Sequence, residues 1–165
     1  MSALLVMALS AAAQQQPPAA TVPFGRANVV LVKTTARPDS VLAELRHYLD
    51  SNGFMLDTLD PARGLITTQV QESGQILQEQ MKIRAVRVAD GWKLTGLYLI
   101  GSALADGHTA FPAEFVGFDW SPAKVAFRQV EAAARAVPRG TLHYGRAKVR
   151  FSALTKLEDA LRMPW

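Results

Sequence analysis

The sequence predicts an α+β fold in which an antiparallel sheet carries two helices on one face. Two observations lead there. Four short β-patterned segments follow one another between Phe54 and Ile100, with turn residues between them. The two clear amphipathic helical patterns lie outside that run, one before it and one after it, as an α+β layer requires.

The elements read in chain order as β-α-β-β-β-β-α. Asn28–Thr35 is a β-branched run and reads as a strand. Pro38 opens a helix, with Asp39 and Ser40 available to cap it. Val41, Leu42, Leu45, Tyr48 and Leu49 share one side of that helix, and Asn52-Gly53 stops it. Phe54–Leu59 and Leu65–Val70 read as strands around the turn Asp60-Pro61-Ala62-Arg63-Gly64. Met81–Ala89 alternates cleanly to Ala85 and then shifts phase at Val86 and Val88. A bulge near Ala85 or burial on both faces would account for that shift. Asp90-Gly91 is a two-residue hairpin signal leading into the strand Trp92–Ile100.

Gly101–Asp119 has no clear period but carries aromatic weight at Phe111, Phe115 and Phe118. Ser121-Pro122 starts a second helix, which runs to about Val137 with Val125, Phe127, Val130, Ala133 and Ala134 on its apolar side. Thr141–Phe151 reads as a further strand and Leu154–Leu161 as a short terminal helix.

The domain organisation follows. Residues 1–13 have the form of a signal peptide, because Ala3–Ala13 is an apolar run closed by Ala11-Ala12-Ala13. The run is too short to span a bilayer, which takes about 20 apolar residues. Residues 14–26 read as a Pro/Gln-rich tether, residues 27–138 as the α+β domain, and residues 139–165 as a basic C-terminal segment. The expected location is therefore periplasmic or secreted, with cleavage near Ala13. About 150 residues would remain, enough for one core that buries roughly two-thirds of the unfolded surface.

Composition narrows the chemistry. The chain has no Cys, so it offers no disulfide, no thiolate metal site, no cysteine nucleophile and no thiol for a lipid anchor. Its net charge of +4 is uneven: from Ser121 onward there are nine basic and three acidic residues. Arg146, Lys148 and Arg150 alternate and read either as protection of an exposed edge or as an anion-binding row. An anionic polymer or lipid surface fits that row better than nucleic acid, which an exported protein seldom meets.

No catalytic grammar stands out. His47, His108 and His143 lie too far apart in sequence to suggest a metal centre. Asp57 and Asp60 could pair as carboxylates, and Asp106-Gly107-His108 could place an acid beside an imidazole, but turn residues explain both. The chain contains no nucleophile elbow, phosphate-cradling glycine loop or zinc-protease helix. No cofactor is expected. Trp92, Tyr98, Phe111, Phe115 and Phe118, with Trp120, read as core or as the wall of an apolar pocket between sheet and helix.

The element order, together with Leu45-x3-Leu49-x3-Gly53-Phe54-x5-Asp60-x3-Gly64-x-Ile66-Thr67-Thr68, resembles the helix-grip domains of bacterial envelope lipoproteins. Those include the accessory lipoprotein of the outer-membrane barrel-assembly machinery. The resemblance covers about Asn28–Val137. It implies a non-enzymatic interaction module with an envelope protein as partner. The lipidated Cys of that family has no counterpart here. Carriage of a lipophilic small molecule in a sheet–helix cavity is the alternative expectation.

Overall fold

The fold comes from a computed structural model that describes residues 20–72, 80–101, 109–151, 155–163 and 165. The expected signal segment and the acid–imidazole turn Asp106–His108 lie outside the described residues.

The architecture is α+β. The elements are β1 (Val29–Lys33), α1 (Pro38–Ser51), β2 (Leu56–Asp60), β3 (Leu65–Thr68), β4 (Gln71–Glu72), β5 (Gln80–Val88), β6 (Gly91–Ile100), β7 (Thr109–Pro112), α2 (Pro122–Arg135), β8 (Thr141–Gly145) and α3 (Leu157–Arg162). One sheet runs β2-β3-β5-β6-β1-β8, with β4 against β5 and β7 against β6. All of its pairings are antiparallel. The long strand β6 has room for two partners along one side: β1 pairs with Gly91–Leu94 and β7 with Leu97–Ile100.

Alternation along the strands separates two faces. Val30, Val32, Ile66, Met81, Ile83, Ala85, Trp92 and Leu94 face the helices and form one core. Helix α1 adds Val41, Leu42, Leu45 and Leu49, and α2 adds Phe127, Val130, Ala133 and Ala134. Gly96 lets α2 approach β6 closely, since a Cβ there would sit 2.5 Å from Val130 Cγ2. The opposite face holds a smaller cluster of Leu99, Ala110 and Ala160, with Val70, Phe151 and Leu157 packed around it. Helix α3 therefore lies on the face that α1 and α2 leave open.

Several local expectations are corrected. The strand expected over Thr141–Phe151 ends at Gly145. Beyond it the Asn28 side chain takes the place of a neighbouring strand: its amide donates to the Ala147 carbonyl at 3.0 Å and its oxygen accepts from the Ala147 N–H at 2.8 Å. Strand β7 lies in the stretch without a readable period. No bulge interrupts β5, whose register with β6 is continuous from Gln80 to Val88; Val86 is half-buried on the far face and Val88 is exposed. The irregularity sits instead between Leu56 and Thr58 in β2. Arg37 occupies the N-cap position of α1 and Ser121 that of α2, and neither makes a side-chain capping bond. The proline at the first turn does the punctuation in both helices.

The chain is bonded to this body from Ala20 onward. Ala20 and Tyr144 exchange two backbone hydrogen bonds, at 3.0 and 2.7 Å, which adds a bridge outside β8. No helix among the described residues is long and apolar enough to cross a membrane.

Candidate interaction surface

The most unusual surface lies where the chain enters α2. Phe118 and Trp120 are 70% and 71% exposed, yet their rings stack with centroids 5.5 Å apart and planes 12° from parallel. Large aromatic side chains rarely stand this far into water without a partner.

The loop that presents them is tightly held. Gly117 takes the left-handed conformation, with φ at 82°, and turns the chain outward. The Ser121 N–H donates to the Phe118 carbonyl at 3.0 Å. Lys124, on the first turn of α2, is the hub. Its ammonium lies 3.0 Å from the Asp119 carboxylate and 4.5 Å over the Phe115 ring, and it donates to the Gly117 carbonyl at 3.4 Å. Arg128 reaches the same Asp119 oxygen at 2.9 Å. The hydrogen bond from Lys124, reinforced by its charge and that of Arg128, holds the Asp119 carboxyl below its ordinary pKa.

A second segment joins this loop. The Arg26 N–H donates to the Phe115 carbonyl at 3.0 Å, and the Phe115 N–H donates to the Ala27 carbonyl at 2.8 Å. That pairing ties the turn Phe24–Ala27, which closes with an Ala27 N–H bond to the Phe24 carbonyl at 2.9 Å, to the start of the loop at Phe115. Of nine exposed large apolar side chains among the described residues, five (Val22, Phe24, Val116, Phe118 and Trp120) belong to these two segments.

Of the five aromatics expected to share a pocket wall, Trp92, Tyr98 and Phe115 join the packed helix-side core, while Phe118 stands out in solvent. Trp92 is 2% exposed and belongs to the core under the helices. Tyr98 stacks on Phe111 at 5.4 Å, near the other end of β6. Phe115 meets Phe127 edge-on at 5.7 Å. Phe118 points outward with Trp120. Arg146, Lys148 and Arg150 alternate outward along the extended segment after β8, and all three are exposed.

The acid–base candidates have separate partners. Asp57 accepts from Lys82 at 2.8 Å and from Thr67 at 3.2 Å, and the Lys82 bond keeps its pKa low. Asp60 accepts from the Arg63 N–H at 3.1 Å, which serves the turn. His47 is exposed on α1, and His143 is half-buried opposite Leu31. No group of three His, Cys, Asp or Glu residues among the described residues could hold a metal ion.

Lys124 and the Val22–Phe24 stretch have no signal in the sequence read by itself. A lysine one turn into an amphipathic helix looks like solvated surface, and the stretch before Asn28 looks like linker. Gly117 followed by two aromatics flanking Asp119 is the one sequence mark of the loop. Comparison with protein-family models finds no match, and comparison with curated proteins finds no significant similarity.

Proposed function

We propose that this chain is a non-enzymatic, exported domain that binds a protein of the cell envelope through the aromatic surface around Phe118 and Trp120. The observation that carries the reading is the exposed, stacked pair held by Lys124 and Asp119. Export is supported by the apolar run Ala3–Ala13, and an interaction role by the resemblance of the Leu45–Thr68 pattern to envelope helix-grip modules.

Magnitudes define the kind of partner. Covering two rings that are about 70% exposed yields roughly 5–9 kcal/mol before costs. Association costs about 4–15 kcal/mol. The pair by itself supports only a weak complex, so it serves as the anchor of a larger interface that also covers Val22, Phe24 and Val116.

The test compares the wild-type protein with a Phe118→Ser/Trp120→Ser double variant, each immobilised and exposed to envelope extract after mild crosslinking. The expected result is one partner held by the wild type and lost from the variant, with the melting temperature unchanged. Identical capture by both proteins overturns the reading.

A further inference from the structure

Three connections far apart in sequence meet at one end of the sheet and leave a cleft between them. They are Lys33–Pro38 after β1, the hairpin Arg87–Trp92 between β5 and β6, and Arg139–Thr141 before β8. The cleft measures about 500 Å³, within the range of about 300–1,000 Å³ usual for small-molecule sites. Its charged lining consists of Lys33, Arg87 and Arg139 against the single carboxylate of Asp90.

The frame around these cations is fixed. Lys33 lies in register between Gly91 of β6 and Thr141 of β8. Gly91 presses so closely on β1 that a Cβ would sit 2.0 Å from the Val32 carbonyl oxygen. Thr34 ties the first connection to the third by donating to the Pro138 carbonyl at 2.6 Å. The Arg87 N–H donates to the Gly64 carbonyl at 2.8 Å, and its stem lies where a Gly64 Cβ would be. Arg139 is held with φ at 54°, a left-handed conformation that glycine adopts with least strain. Lys33, Arg87 and Arg139 make no ion pair among the described residues, as is also true of Arg146, Lys148 and Arg150.

We propose that this cleft binds the phosphate or sulfate group of a small molecule. Lys33, Arg87 and Arg139 line the cleft from three separate connections, so its lining carries three positive charges against one negative, a balance that favours a tetrahedral oxyanion bound through charge-assisted hydrogen bonds. Thr35 and Thr141 add hydroxyl donors to the lining. The site is separate from the row Arg146, Lys148 and Arg150, which follows the other end of β8. It does not depend on the aromatic interaction surface.

The test titrates the full chain with inorganic phosphate and with pyrophosphate, using backbone amide NMR and sodium chloride at matched ionic strength as the control. Shifts are expected at Thr34–Ala36, Asp90–Gly91 and Gly140–Thr141. The variants Arg87→Gln and Arg139→Gly should each weaken pyrophosphate about three- to fivefold. Arg139→Gly relieves the left-handed strain, so its melting temperature stays level or rises and its binding loss is not an unfolding effect. Shifts that chloride reproduces, shifts confined to Arg146–Arg150, or full affinity in Arg139→Gly overturn the proposal. Co-sedimentation with phosphatidylglycerol vesicles without any response to free pyrophosphate also overturns it, by assigning the phosphate to a lipid surface.

Discussion

The two faces of the sheet differ in how they are covered. On the helix side, two 14-residue helices lie over one continuous apolar core. On the far side, the same strands present Lys82, Arg84 and Lys93, and only the β6–β7 end is apolar enough to seat α3. The far side is closed partly by polar contacts: Arg84 and Thr95 both donate to the main-chain oxygen of Trp165 at 3.1 Å. Burial, together with the neighbouring charge of Arg84, pushes the Lys93 ammonium below its ordinary pKa. The charged far face thus carries a smaller apolar cover than the helix face, so most of the stability is expected to reside with α1 and α2, and α3 is expected to open locally at lower cost.

Four substitutions test this difference between the faces. The largest effect is expected for Phe127→Ala, because this 1%-exposed ring packs against both Phe115 and Tyr144. Denaturant melts should show a loss of about 3–5 kcal/mol. A loss below about 1 kcal/mol would remove the helix face as the seat of stability. Gly96→Ala comes next, at about 1–3 kcal/mol, since the new methyl collides with Val130 and Ala113. If the variant is as stable as the wild type, the close approach of α2 to β6 is not a constraint.

Tyr144→Phe should cost about 1 kcal/mol at neutral pH, the worth of its hydrogen bond to Glu131. It also has a pH signature. Burial, then the bond to Glu131, pushes the Tyr144 phenol up to about 12. Its folded pKa is raised above the unfolded value of about 10, so the contribution is fully present below pH 10 and is lost as pH rises towards 12. Melts between those pH values should show a falling limb that is steeper in the wild type than in the variant, where the half-buried Tyr48 phenol, also raised, still contributes. The smallest global effect is expected for Ala160→Glu: the charge cannot stay buried and expels α3, and because that helix covers only a small cluster the global loss is expected to stay within about 1 kcal/mol. Hydrogen exchange at β7 should nevertheless speed up. A cooperative loss of several kcal/mol in that variant would mean the two faces unfold as one unit.

Much of this was legible beforehand for a local reason. The stripe Leu42, Leu45, Leu49 has its period within one helix, and Asn52-Gly53 ends that helix through its own backbone, with Gly53 at φ 80°. Strand β7 was not legible, because Thr109–Pro112 is short and is defined by pairing with Leu97–Ile100 rather than by alternation. The end of β8 was illegible for a related reason: alternation continues through Arg150, but the pairing partner stops at Val29 and the Asn28 side chain takes over. Whether Trp92, Tyr98, Phe111, Phe115 and Phe118 fill the core or line a pocket could not be read from composition, because it depends on what packs over them: Trp92 lies under the helices, Tyr98 stacks on Phe111, and Phe118 stands exposed.

The sequence by itself determined the α+β class, the two amphipathic helices, the hairpin at Asp90-Gly91 and the outward alternation of Arg146, Lys148 and Arg150, since each depends on neighbours a few residues away. Three-dimensional packing settles which face α3 covers, that Lys124 fastens the loop carrying Phe118 and Trp120 through Asp119 and the Gly117 carbonyl, and that Lys33, Arg87 and Arg139 line one cleft. Those arrangements join segments separated by tens of residues. Periodicity carries no information about which distant segment fills a given side of a strand; packing and backbone pairing choose it.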